Sequence, residues 1–363
     1  MKYYILKCPE MMLFFNALSR LNILKKKIKI QIPLMNNMTV FSIQQRDERV
    51  NINQFVSIDE YAKHYYPISK RLKEKDQKEI PDYQALKSTL FQSGILVPSG
   101  QDKLLSLLAD IRKQDILHGG DVYYIACDTN VLRDRFFSTC LSKMPYHQNI
   151  DFILCETVRD ELKNRQDKLK KQKLKDIRTL NYDQLEECFL NQNTLEDRMR
   201  YVGFMEYNVI RSQTSCEEIE APSKKNGMQN DREIINAYSD FVDVGKKIIF
   251  ISRDNEIVRM MTGESNVIPI ILEHKPSRRK NFSVTWDQFF DLLYMMGILF
   301  GKLRLVKEKH QIADIYGVWK GKDVEEWESG YVKLCLHATE HHTEITHTMG
   351  RNMSILKQLN INM

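Results

Sequence analysis

The sequence predicts an α/β fold with a mostly parallel central sheet. Short apolar runs rich in β-branched and aromatic residues recur after residue 120, at 122–127, 150–155, 248–252 and 267–272. Stretches with helical periodicity separate the runs, and this alternation is typical of parallel sheets flanked by helices. Each run is apolar along almost its whole length, which suits strands that are buried on both faces.

Length and composition are those of a globular chain. The 363 residues are 42% hydrophobic and 28% charged, which is enough for one large domain with additions or for two or three smaller ones. The net charge of +6 favours a polyanionic partner. Seven cysteines, an odd number with no C-x-x-C pair, exclude a complete disulfide framework and favour a cytoplasmic location.

The regions on either side of the predicted sheet carry weaker signals. Residues 57–60 read as a capping box and residues 102–111 carry an apolar stripe at helical spacing, so helices are expected there. The apolar stretch 285–306 is interrupted by Asp287, Asp291 and Lys302, which favours a packed core helix over a membrane span. The predicted organisation is an irregular N-terminal extension (1–38), a helical accessory region (39–120), the α/β domain (121–275) with a helical insertion (180–225), a C-terminal accessory segment (276–336) and a polar tail (337–363).

Two acids follow predicted strands by the same rule. Asp128 comes directly after the run 122–127, and Asp254 comes two residues after the run 248–252. Ligands of open α/β sheets bind outside the carboxyl ends of the strands, so both acids are site candidates. The alternative is that each caps the helix that follows. The two roles are compatible at Asp128 if Thr129 or Asn130 caps the helix instead.

Two further acids interrupt apolar helical stripes. Asp231 lies three and four residues before Ile234 and Ile235, and therefore extends a stripe that faces the core. Glu161 lies three residues after Val158 on the predicted helix that follows the second strand. Glu156, at the strand end itself, is a rival for the same role. Taken singly, each acid is better explained as a cap or a surface carboxylate.

Four acids at one edge of one sheet are harder to explain as structure alone. Converging carboxylates repel one another and are costly without compensating cations. Divalent cations that prefer oxygen ligands supply that compensation. The set Asp128, Glu161, Asp231 and Asp254 is therefore a candidate site for Mg²⁺ or Mn²⁺, where a bound water can be activated for attack on phosphorus.

The four acids sit in short motifs that, in this order, resemble those of PIN-domain nucleases. The motifs are "ACDTNVLRD", "ETVRDELKNR", "NDREIINAY" and "IIFISRDNEI", with Ser252 where the family more often has Thr. The resemblance covers roughly residues 121–275. It implies a three-layer α/β/α fold and metal-dependent hydrolysis of a phosphodiester, usually in RNA. The catalytic and metal-binding residues would then be Asp128, Glu161, Asp231 and Asp254.

Other residues near these acids are candidates for positioning a substrate. Thr129 and Asn130 follow Asp128 directly, and Arg133, Ser252 and Arg253 lie close to the predicted acids. The Lys and Arg side chains of the basic segment 163–178 could bind the phosphates of a nucleic acid, or the segment could be a solvated helix face.

The leading hypothesis is a metal-dependent, PIN-like endoribonuclease with nucleic acid, most often RNA, as its partner and with no membrane association. The alternatives are a non-catalytic PIN-like RNA-binding or scaffold module, and a toxin-type nuclease regulated by a partner protein. Homo-oligomerisation is compatible with each of them. The sequence contains no P-loop motif and no G-x-S-x-G motif, which argues against a P-loop NTPase and an α/β-hydrolase.

Overall fold

A computed structural model describes residues 2–145, 147–163, 182–188, 193–213, 215–221, 227–242, 245–338 and 340–358. The strands are β1 (Lys2–Lys7), β2 (Ile28–Ile32), β3 (Met38–Arg46), β4 (Arg49–Asn53), β5 (Val122–Cys127), β6 (Ile150–Cys155), β7 (Cys216–Ile219), β8 (Lys246–Ser252), β9 (Val267–Ile271), β10 (Phe282–Val284), β11 (Lys302–Lys307), β12 (His310–Tyr316) and β13 (Tyr331–Leu336).

The α-helices are α1 (Met11–Arg20), α2 (Ile58–Ser69), α3 (Glu74–Gln77), α4 (Tyr83–Gln92), α5 (Gln101–Ile111), α6 (Thr129–Arg133), α7 (Phe136–Thr139), α8 (Glu156–Lys163), α9 (Asp183–Cys188), α10 (Leu195–Arg211), α11 (Gly227–Phe241), α12 (Asn255–Met261), α13 (Trp286–Phe300), α14 (Val324–Glu328) and α15 (His342–Gln358). Short 3-10 helices occur at Cys8–Glu10, Ile23–Lys25, Pro33–Met35, Ile116–His118 and Leu141–Lys143.

The chain forms two compact units, each assembled from separate stretches of sequence. The parallel unit comprises residues 96–166 and 199–276, and the antiparallel unit comprises residues 1–95, 167–198 and 277–363. The predicted domain 121–275 therefore differs from the observed unit in two ways. The unit also contains α5, and part of the predicted insertion 180–225 belongs to the antiparallel unit.

The parallel unit contains a five-stranded sheet in the order β7-β6-β5-β8-β9, with every neighbouring pair parallel. The predicted mostly parallel sheet is confirmed, and the four predicted runs form β5, β6, β8 and β9. The residues Ile248 to Ile251 of β8 are completely buried, as expected for a central strand of a parallel sheet. The edge strand β7 is not predicted, because its sequence "CEEI" is acidic and its middle residues are exposed.

The antiparallel unit contains an eight-stranded sheet in the order β1-β13-β12-β11-β2-β3-β4-β10, which was not predicted from the sequence. Residues 2–32 form β1, α1 and β2 rather than an irregular extension. The strand β2, "IKIQI", buries every second side chain, which is the pattern of a sheet with one solvated face. The region 39–120 opens with the hairpin β3–β4 and becomes helical only from residue 58.

The C-terminal part is also more regular than predicted. α13 is a core helix, as expected from its sequence: it begins at a capping box formed by Thr285 and Gln288, and it is buried from Phe289 onward except at Asp291. The predicted polar tail instead contains α15, which packs on α1. Ile345 and Met349, four residues apart, are buried and form the apolar stripe of α15. None of the described helices is both long enough and apolar enough to cross a lipid bilayer.

Candidate acidic site at the carboxyl edge of the parallel sheet

The order of the strands defines where a ligand would bind in the parallel unit. β5 lies between β6 and β8, and the sheet grows from β5 first in one direction and later in the other. The direction of growth changes between β5 and β8. In open parallel sheets, ligands usually bind in the crevice at the carboxyl ends of the two strands where this change occurs. Cys127 pairs with Ile251, so Asp128 and Ser252 end neighbouring strands at the same edge.

Asp128 caps a helix and also joins the two central strands. It is the N-cap of α6, and its Oδ1 accepts a hydrogen bond from the backbone N–H of Val131 at 2.8 Å. Its Oδ2 accepts from the hydroxyl of Ser252 and, at 3.4 Å, from the N–H of Arg253. The cap is therefore Asp128 itself and not Thr129 or Asn130, which corrects the expectation from the sequence.

The environment of Asp128 disfavours its charged form. The side chain is only 3% exposed, and burial raises the pKa of this carboxyl to about 6. The hydrogen bonds from Ser252, Val131 and Arg253 act in the opposite direction, because they stabilise the carboxylate, and the nearby charge of Asp134 adds to the rise in pKa. A carboxyl with this pKa changes its charge close to neutral pH and responds to any cation placed beside it.

Asp254 lies at the same edge and is also a cap. It is the N-cap of α12, and its Oδ1 accepts from the N–H of Glu256 at 2.7 Å. Its own N–H donates to the hydroxyl oxygen of Ser252 at 2.9 Å. Ser252 therefore links the backbone at Asp254 to the carboxylate of Asp128, which explains the value of a hydroxyl residue at this position.

Glu161 is tied to the helix that Asp128 caps. The hydroxyl of Thr129 donates to Glu161 Oε2 at 2.7 Å, across the gap between α6 and α8. The rival acid Glu156 is engaged elsewhere, since it forms an ion pair with Arg159 at 2.8 Å. Of Glu156 and Glu161, Glu161 is the one that is hydrogen-bonded to the helix that Asp128 caps.

Asp231 lies in the first half of α11, and the negative charges of other acids affect its pKa. Its pKa is raised first by burial and then by the negative charges of Glu161, Asp254 and Glu256. Residues from three helices thus crowd negative charge into one region of the sheet edge. Glu256 was not predicted as part of this group, although its position in the first turn of α12, two residues after Asp254, was a usable signal.

The donor set fits a hard divalent cation in its chemistry, because all four predicted ligands offer carboxylate oxygens. The side chains are not assembled around a single point, however. Among the residues that the structure describes, no group of three His, Cys, Asp or Glu side chains is arranged to hold a metal ion. Asp128, Asp254 and Glu161 accept hydrogen bonds from the chain itself, and a cation would compete with those donors.

Arg253, another of the predicted positioning residues, is paired with an acid. Its Nη1 donates to Asp134 Oδ2 at 2.9 Å, and the nearly buried His274 contacts the same oxygen through Nε2 at 3.1 Å. Asp134 and His274 were not predicted, because their partners lie more than 100 residues away in the sequence.

Asn130 and Arg133 are the remaining predicted positioning residues. Asn130 is exposed. The stem of Arg133 lies against α10, where a Cβ on Gly203 would be 3.0 Å from Arg133 Cγ. The basic segment 163–178 lies outside the described residues, apart from Lys163.

Comparison of the chain with protein-family models, with curated proteins and with solved structures found no match in any of the three. The resemblance to PIN-domain nucleases therefore stays a prediction from the motifs, and the function is inferred from the geometry and electrostatics of the acidic site.

Proposed function

We propose that the chain is a metal-dependent, PIN-like endoribonuclease that hydrolyses phosphodiester bonds at the acidic site. The observation that supports this proposal best is the shared electrostatic environment of the acids. The pKa of Asp231 is raised first by burial and then by the charges of Glu161, Asp254 and Glu256, which come from other parts of the sequence. Folding gains nothing from bringing like charges together, so their proximity is more readily explained by a cationic ligand.

The residues of the chain have separate roles in this proposal. A divalent ion held by Asp128, Glu161, Asp231 and Asp254 would supply the positive charge that lowers the pKa of water and offsets charge on the phosphate oxygens. Ser252 and the N–H of Val131 fix the orientation of Asp128.

Two further side chains complete the arrangement on the protein side. Thr129 fixes Glu161 through its hydroxyl hydrogen bond. Arg253, oriented by its ion pair with Asp134, supplies a guanidinium that can pair with a phosphate oxygen of the substrate.

The proposal is tested by Mn²⁺-dependent cleavage of single-stranded and structured RNA by the wild type and by Asp128→Asn. Loss of outer-shell partners alone costs roughly 10- to 100-fold, so removal of a ligand is expected to reduce the rate by about 100-fold or more. Asp160→Asn is the matched control, because Asp160 is a partly exposed acid on α8 beside Glu161. Equal cleavage by the wild type and Asp128→Asn would overturn the proposal.

A second candidate, a non-catalytic RNA-binding or scaffold module, is favoured by one observation. Asp128, Asp254 and Glu161 accept hydrogen bonds from the chain, and no three acids among the described residues are arranged to hold a metal ion. RNA binding without cleavage by the wild type, at any Mn²⁺ concentration, would support this alternative over the nuclease.

A further inference from the structure

The parallel unit contains a cavity at the edge of the sheet opposite the acidic site. The cavity has a volume of about 240 Å³ and is lined by residues near the amino ends of β6 and β7 and the carboxyl end of α5. Ile150, the first residue of β6, lines it, whereas Asp128 and Asp254 follow the other ends of their strands. The lining residue nearest to an acid along a strand is Ile125, which lies three residues or about 10 Å before Asp128, and no lining residue belongs to the acidic site.

The walls of the cavity combine apolar and aromatic side chains with polar ones, among them Ser142 and Gln213. Phe137 and Phe152 both line it, with ring centroids 5.2 Å apart in an edge-to-face arrangement. Met144 and Leu141 add flexible and branched apolar surface. Benzene fits in a cavity of about 150 Å³, so this cavity has the volume for an aromatic ring with a substituent.

Arg112 adds a charged guanidinium to the lining of the cavity. Its Nη2 donates to the carbonyl oxygen of Pro145 at 2.8 Å. Its Nε has no hydrogen-bond partner among the described residues and is closed to a water-sized molecule, so a ligand would meet the terminal nitrogens of the guanidinium. No Asp or Glu occurs among the described residues that line the cavity, so Arg112 gives it a positive character.

We propose that this cavity binds a small aromatic monocarboxylate, with its ring against Phe137 and Phe152 and its carboxylate on Arg112. Aromatic rings favour edge-to-face and offset contacts with other rings, which the two phenylalanines offer. A guanidinium is the side chain best suited to a planar carboxylate. The site does not depend on nuclease activity, since none of its residues belongs to the acidic site.

The test is calorimetric titration of the full chain with 2-naphthoate, with the neutral 2-naphthamide and with acetate. The wild type is expected to bind 2-naphthoate roughly 10- to 100-fold more tightly than 2-naphthamide, because a hydrogen bond to a charged group is worth that factor. Acetate is expected to give no saturable binding, because it lacks the ring. Arg112→Met should bind both naphthyl compounds equally, at the wild-type affinity for the amide.

Two further variants separate the charge from the apolar wall. Phe152→Ala should weaken binding of the carboxylate and the amide by the same factor. Lys113→Met removes an equal charge one residue from Arg112, but Lys113 pairs with Asp110 at 2.8 Å and does not line the cavity, so both affinities should stay unchanged. If Arg112→Met does not fold, Arg112→Lys should lose part of the preference for the carboxylate. Equal binding of both compounds by the wild type, absence of saturable binding, or an equal loss in Lys113→Met would overturn the proposal.

Discussion

At the scale of single residues, Asp128 combines two demands that oppose each other. Capping α6 and accepting from Ser252 favour the charged carboxylate, while burial favours the protonated form. Burial has the larger effect, which leaves the pKa at about 6 instead of 3.8. The protein therefore holds a carboxylate at neutral pH at a cost in stability, a situation that is typical of functional sites.

The cost of burying Asp128 predicts a pH dependence of stability. The folded state binds the proton more tightly than the unfolded state, so this group stabilises the fold fully below about pH 4 and loses that contribution as the pH rises to about 6. The free energy of unfolding of the wild type, relative to Asp128→Asn, should fall by up to about 3 kcal/mol across that window. Urea unfolding in chelator-containing buffer measures the free energy of unfolding of both proteins. If the difference between them stays constant from pH 4 to 6.5, the raised pKa of Asp128 is contradicted.

Thr129 makes a second prediction, for the orientation of Glu161. Thr129→Val keeps the branched shape but removes the hydroxyl that donates to Glu161. If Glu161 acts in cleavage, the rate should fall roughly 10- to 100-fold, the value of a hydrogen bond to a charged group. Thr139→Val is the control, since its hydroxyl donates to the carbonyl of Arg135 and not to an acid. Equal rates for both variants would show that Thr129 does not orient a catalytic group.

The sequence allows the prediction of acids at strand ends but not of the residues that hold them. Asp128 and Asp254 follow apolar runs, and that position alone marks them. The pairs Asp134–Arg253 and Ser252–Asp128 join residues that are 119 and 124 positions apart. Such pairs depend on which strands become neighbours, and local periodicity in one sequence carries no information about that.

At the scale of elements, strands buried on both faces were predicted and strands with one solvated face were not. β5 and β8 are continuous apolar runs, which stand out against helical periodicity. β1 and β2 alternate between exposed and buried residues over only five or six positions. Short alternating runs are weak signals on their own, and their stability comes from partners such as β13, which pairs with β1 from the other end of the chain.

The end of β12 packs so closely against α13 that a methyl group added at Gly317 is expected to destabilise the fold. A Cβ on Gly317 would lie 2.1 Å from the carbonyl carbon of Gly297 in α13, a contact with backbone that cannot move aside. Gly317→Ala should therefore lower the free energy of unfolding by about 1–3 kcal/mol or more. Gly350→Ala is the matched control in α15, where a Cβ meets no atom within 4 Å, and it should stabilise by about 0.5–1 kcal/mol. Urea denaturation measures both, and equal midpoints would contradict the close approach.

At the scale of the whole molecule, the chain does not divide in the order of its sequence. The predicted domain 121–275 is continuous, whereas residues 167–198 group with the antiparallel unit. Contacts over long distances in sequence explain this grouping. Arg198 donates to the carbonyl of Ile298, and the N–H of Leu195 donates to Glu79. Helical periodicity predicts that a helix exists but not the sheet on which it packs.

Mn²⁺ should stabilise the whole chain by binding at the acidic site. Asp231→Asn is expected to raise the stability measured without metal and to reduce the gain in stability from Mn²⁺. Without metal, the variant should be more stable than the wild type at pH 7, because it removes a charge that Glu161, Asp254 and Glu256 repel. With Mn²⁺ at about 100 times its dissociation constant, the wild type should gain about 2.7 kcal/mol and the variant distinctly less.

Thermal unfolding with and without chelator measures both effects of Asp231→Asn. Asp240→Asn removes an exposed acid from the same helix and should leave the metal-free stability and the gain from Mn²⁺ unchanged. Charge repulsion and metal binding can therefore be told apart. If Asp231→Asn is more stable than the wild type without metal but gains as much stability from Mn²⁺, the acids repel one another but do not bind the ion. Lower metal-free stability would instead mean that Asp231 stabilises the fold, and the charge of the site would need another explanation.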